Sequence, residues 1–83
     1  MKIAIIKWID SSYYQYNEVL AKDIEKPIPK LLMSCGFLIE QEKEYVAITQ
    51  DIEVESEICR LVMSIPNECI KDLIILDVNK QKK

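Results

Sequence analysis

Lys30-Leu31-Leu32-Met33-Ser34-Cys35-Gly36-Phe37-Leu38-Ile39-Glu40 decides the fold of this chain. Read with a period of two, Leu32, Ser34, Gly36, Leu38 and Glu40 share one face. Leu31, Met33, Cys35, Phe37 and Ile39 share the other, which is wholly apolar. Gly36 is the chain's single glycine, and it falls mid-strand. Glycine there costs stability unless the strand bends or another backbone comes close. A sharply bent strand, with Gly36 as the structural bend, is the economical expectation.

Working outward, the polar stretch Glu40 to Glu44 predicts a turn. Tyr45 to Ile52 then resumes alternation, with Val46 and Ile48 opposite Tyr45, Ala47 and Thr49. The two runs predict a hairpin. Asp51 to Glu57 reads as an acidic connector. Ile58 to Ile65 predicts a fourth strand, Pro66-Asn67 a tight turn, and Cys69 to Val78 a fifth strand.

On the N-terminal side, Lys2 to Asp10 places Ile3, Ile5 and Ile9 on one face and Ala4, Ile6 and Trp8 on the other. Two apolar faces predict a strand covered on both sides. Between this strand and Lys30, Tyr16, Val19, Leu20 and Ile24 recur at helical spacing. A short amphipathic helix over Tyr13 to Ile24 is expected, ended by Pro27 and Pro29. The sum is a mostly-β fold of five strands, with one short helix inserted after strand 1. In so small a chain, a closed or nearly closed barrel would remove exposed strand edges.

Composition supports one domain. The 83 residues are 49% hydrophobic and 30% charged, which is a globular balance. One domain over residues 1–79 is expected, followed by a disordered basic tail at 80–83. A core this small gains from self-association, so a homo-oligomer is expected.

The net charge is −3 and there is no His. Phosphate backbones are bound by electropositive surfaces, so nucleic acid is not a favoured partner. Cys35, Cys59 and Cys69 form no C-x-x-C pair. They predict buried, reduced thiols rather than a metal site or disulfide framework. Met1 to Ile9 is too short to span a membrane or form a signal core. A cytoplasmic protein without membrane contact follows as the expectation.

Catalysis needs a positioned acid, base or nucleophile. Without His, neither Ser11, Ser12 nor a cysteine has an imidazole to activate it, and one glycine cannot build a phosphate loop. The expectation is no enzyme, no cofactor and no metal. Trp8, Tyr13, Tyr14 and Tyr16 form an aromatic cluster. It either packs the inserted helix or offers a partner or ligand surface. The acids between Glu40 and Glu57 are either a solvated rim or a face for a basic protein partner.

The arrangement resembles the Sm-like (SH3-type barrel) family. Cys35-Gly36-Phe37-Leu38, the turn Glu42-Lys43-Glu44 and Tyr45-Val46-Ala47-Ile48 look like the first Sm motif. Val62 to Ile70 is similar to the second. The resemblance implies a five-stranded barrel, a tendency to form rings or dimers, and loop positions at Lys43, Tyr45 and Asn67. In Sm-like RNA binders the second turn is an Arg-Gly or equivalent basic turn. Here it reads Pro66-Asn67-Glu68, and the family's N-terminal helix is missing.

Trp8-Ile9-Asp10-Ser11, Gly36-Phe37-Leu38 and Ile65-Pro66 also resemble points in small phage and prophage proteins. The functional expectation is therefore a non-catalytic, oligomeric interaction or assembly module of phage or prophage origin. The alternatives are an Sm-like RNA-binding protein and a phage-encoded protein that binds a small nucleotide signal.

Overall fold

The computed structural model describes residues 1–10, 18–23 and 28–78. Period-two runs give β1 (Lys2–Asp10), β2 (Lys30–Gln41), β3 (Tyr45–Ile52), β4 (Cys59–Pro66) and β5 (Ile70–Asp77). They form one antiparallel sheet in the order β4-β3-β2-β1-β5. The sheet is open among the described residues: β4 and β5 lie at opposite edges and do not pair. The mostly-β class and the five strands match the expectation, and the strands form one sheet that is not closed.

Helix is almost absent among the described residues. Within the expected Tyr13 to Ile24 helix, the described part is a single 3-10 turn at Ala21–Asp23, preceded by irregular backbone. Residues 11–17 and 24–27 lie outside the described residues. The Pro66-Asn67 turn is a 3-10 turn at Asn67–Cys69 that feeds directly into β5.

The main core cluster lies on one face, with Ala47 and Thr49 also buried on the other face of β3. Ala4, Ile6, Val46, Ile48 and Ile65 are buried in that cluster, with Trp8, Leu38, Cys69, Ile70 and Leu73 packed around them. Register explains the choice. Ala4 lies opposite Gly36 and Ile6 opposite Ser34, so the inward face of β2 is the one with small residues. A Cβ on Gly36 would sit 2.7 Å from the Thr49 carbonyl oxygen and 3.2 Å from the Ile48 Cβ. The backbone of β3 approaches β2 here as only a glycine permits.

The wholly apolar face of β2 points the other way. Leu31, Met33 and Cys35 are exposed and Phe37 is half-buried. Ile3, Ile5 and Ile9, on the same side of β1, are only half-buried. The expectations that β1 is covered on both sides and that all three thiols are buried are corrected here. Cys35 shares the outer face, while Cys59 and Cys69 are half-buried.

Two irregularities shift the faces. Register changes between Leu38 and Glu40, so Ile39 is an extra residue. Glu40 is thereby moved off Leu38's face and onto that of Ala47 and Tyr45. A second shift, between the Lys7 and Trp8 pairs, returns Ile70 to the core side beside Trp8. In β4, Leu61 takes φ 57°, an uncommon conformation for a bulky residue, between the Val62 and Arg60 pairs with β3, and 74% of it is exposed.

Candidate functional site

The turn after β2 and the turn after β4 meet at one end of the sheet. Tyr45 at the start of β3 pairs with Pro66 at the end of β4, so the antiparallel register alone makes the turns neighbours. Asn67 then joins them. Its side-chain amide donates to the carbonyl oxygens of Glu42 and Lys43, at 3.0 and 2.8 Å. Its backbone N–H donates to the Glu44 carbonyl at 2.8 Å. The hairpin itself is closed by the Glu42 N–H donating to the Tyr45 carbonyl.

Lys43, Tyr45 and Asn67, far apart in sequence, therefore occupy one junction. Its chemistry is acidic. Glu42 and Glu44 flank Lys43, Glu68 follows Asn67, and Glu40 accepts a hydrogen bond from the Tyr45 hydroxyl at 2.7 Å. That hydrogen bond to Glu40 holds the Tyr45 phenol above its usual pKa, with smaller contributions from desolvation and from the charges of Glu40 and Glu42. Asn67 spends both amide donors on backbone carbonyls, so its side chain ties the turns together and has no donor left for a ligand. Lys43 is the one cation among Glu40, Glu42, Glu44 and Glu68, which works against an anionic ligand.

Trp8 stands elsewhere. Its indole N–H donates to the Ser34 hydroxyl at 2.9 Å, and its ring packs against the core cluster. Tyr13, Tyr14 and Tyr16, the other members of the expected aromatic surface, lie outside the described residues. No protein-family model matches the chain, and neither a curated protein nor a solved structure matches it. Its chemistry has to be read from its own side chains.

An open cleft of about 430 Å³ lies at the far end of β3 and β4, lined by Phe37, Asp51, Ile52, Glu53, Ile58 and Arg60. Arg60 is engaged by Asp51 at 2.9 Å, and both are well exposed, so the pair contributes little to stability. Beside it, the buried Thr49 hydroxyl lies 3.0 Å from the Asp51 carbonyl and 2.5 Å from the Arg60 carbonyl, clamping β3 to β4. Among the described residues, no group of His, Cys, Asp or Glu is arranged to hold a metal ion. No helix among them is long and apolar enough to cross a membrane.

The sequence reading missed the exposure of Leu31, Met33, Ile74 and Leu76 on one side of β5, β1 and β2. Its signal was present in the second apolar face of Lys2 to Asp10 and the wholly apolar face of β2.

Proposed function

We propose that this chain is a non-catalytic, self-associating interaction module built on an Sm-like plan, of phage or prophage origin. One observation carries the reading. Among the described residues, the order β4-β3-β2-β1-β5 leaves two eight-residue strands at the sheet's edges, each with a neighbour on one side only. Unpaired edges template further pairing unless they are covered. Edge β4 of one copy and edge β5 of the next can extend the sheet by β-augmentation. The absence of His and the acidic surroundings of Lys43 support a binding role over catalysis. Light scattering across a concentration series tests the reading. Assemblies of defined stoichiometry are expected, and a strict monomer at high concentration overturns it.

A second reading, an Sm-like RNA binder, draws on the convergence of Lys43, Tyr45 and Asn67 at one junction. Single-stranded RNA should then bind at low salt, more weakly as salt rises. Lys43→Ala should weaken the complex. No binding at low salt removes this reading.

A further inference from the structure

The sheet forks between β2 and β3. On one side, β2 stays paired with β1 down to its first residues, Leu31 with Ile9 and Lys30 with Asp10. On the other side, its pairing with β3 stops where Phe37 meets Thr49. β3 then continues with β4 alone, Asp51 against Arg60 and Ile52 against Cys59. Among the described residues, Lys30 to Gly36 therefore has a strand neighbour on one side only, although β2 is an inner strand of the sheet. At about 3.3 Å per residue, this free edge is about 20 Å long.

A side-chain contact bridges the fork. The Gln50 amide donates to the Cys35 carbonyl oxygen at 3.0 Å, so that carbonyl takes its donor from a side chain. The mouth of the fork is the cleft of about 430 Å³. Phe37 of β2 lines it on one side, and the end of the β3–β4 hairpin, with Asp51, Glu53 and Arg60, lines it on the other.

We propose that an extended, basic segment of another protein adds to this edge of β2 and lays one Lys or Arg side chain in the cleft. The inference goes beyond self-association at the outer edges and does not depend on it. A free run of strand backbone selects an extended chain, because main-chain hydrogen bonds supply the affinity of β-augmentation. Leu31 and Met33 stand on this edge, 59% and 68% exposed, so alternate apolar residues of the segment would cover them.

Charge selects the sign of the occupant. Asp51 and Glu53 bring two carboxylates to the cleft against the one guanidinium of Arg60. Arg60 meets Asp51 through a single nitrogen and a single oxygen, and both side chains are well exposed, so the pair opens at little cost. A cation entering over Phe37 meets an aromatic ring and a carboxylate together, and its apolar stem packs on Ile52 and Ile58. An acidic segment would face the same carboxylates and be repelled. The chain's own basic run, Lys80 to Lys83, has no apolar residue among its lysines, so a partner supplies the segment.

The probe is a fluorescein-labelled TVKIRVT peptide, titrated with the full chain and read by fluorescence anisotropy. Saturable binding is expected, and a TVEIEVT peptide should bind at least tenfold more weakly. Glu53→Lys should weaken TVKIRVT binding at least tenfold. Glu68→Lys, the same charge change at the other end of the sheet, should alter it less than twofold. Methylating alternate backbone nitrogens of the peptide separates edge pairing from side-chain docking. In one frame binding should fall at least tenfold, and in the other it should stay within twofold. Equal losses from Glu53→Lys and Glu68→Lys would mean attraction by net charge and overturn the proposal, as would equal affinities in the two methylated frames. Absence of binding overturns it as well. So does tenfold tighter binding to a chain ending at Val78, which would give the fork to the basic tail. If the peptide breaks up assemblies seen by light scattering, the edge belongs to a second copy, and this inference fails while self-association stands. A monomer at every concentration that still binds the peptide overturns self-association alone.

Discussion

The two faces of β2 differ in a way that hydrophobicity alone ranks backwards. The inward face carries Ser34 and Gly36 between Leu32 and Leu38, while the outward face carries Leu31, Met33, Cys35 and Phe37. The less apolar face lies against the core, where Gly36 leaves room for β3, with the Thr49 carbonyl 2.7 Å from where its Cβ would be. Close packing depends on shape as well as on apolar content. The outward face keeps large side chains, and Leu31 and Met33 on it are exposed.

Cutting side chains from each face should break or sharpen this contrast. Ile48→Ala removes a fully buried side chain from the inward face and should cost about 3–4 kcal/mol in urea unfolding. Ile74→Ala, on the outward face, should cost under about 1 kcal/mol in a dilute monomer. Equal losses would mean that the outward face is a second core.

Gly36→Ala should cost about 2–3 kcal/mol, because the methyl group would press on backbone at Thr49. Cys35→Ala, one residue away on the other face, should be nearly neutral by the same measurement. Thr49→Val should cost about 1 kcal/mol by removing the hydroxyl between β3 and β4, with the midpoint falling and the slope unchanged.

The smallest effect lies at the junction of turns. The Glu40 hydrogen bond favours the protonated Tyr45 phenol, so its contribution is complete below the ordinary tyrosine pKa of about 10 and is lost as the pH rises above it. Tyr45→Phe should flatten that alkaline decline and leave thermal stability near neutral pH almost unchanged. An identical alkaline limb in wild type and Tyr45→Phe would contradict the assignment.

Much of the fold was legible in the chain. Alternation over Lys2 to Asp10, Lys30 to Glu40 and Tyr45 to Ile52 marks three strands within a residue or two, because side-chain direction in a strand is a local property. Gly36 stood out because a mid-strand glycine needs a reason. Of the helix expected over Tyr13 to Ile24, Tyr16 and Ile24 lie outside the described residues, and Ala21–Asp23 form a 3-10 turn. The junction of Lys43, Tyr45 and Asn67 was legible as separate positions through the family resemblance. Its hydrogen bonds were not, because they span 24 and 25 residues.

By itself, then, the sequence determined where strands run, that the chain lacks His, and that β1 and β2 each carry two usable faces. Tertiary structure alone decided which face became the core. That choice depends on cross-strand register, and one extra residue at Ile39 or beside Lys7 and Trp8 exchanges inside for outside. Register is set between segments far apart in the chain, so no local pattern contains it.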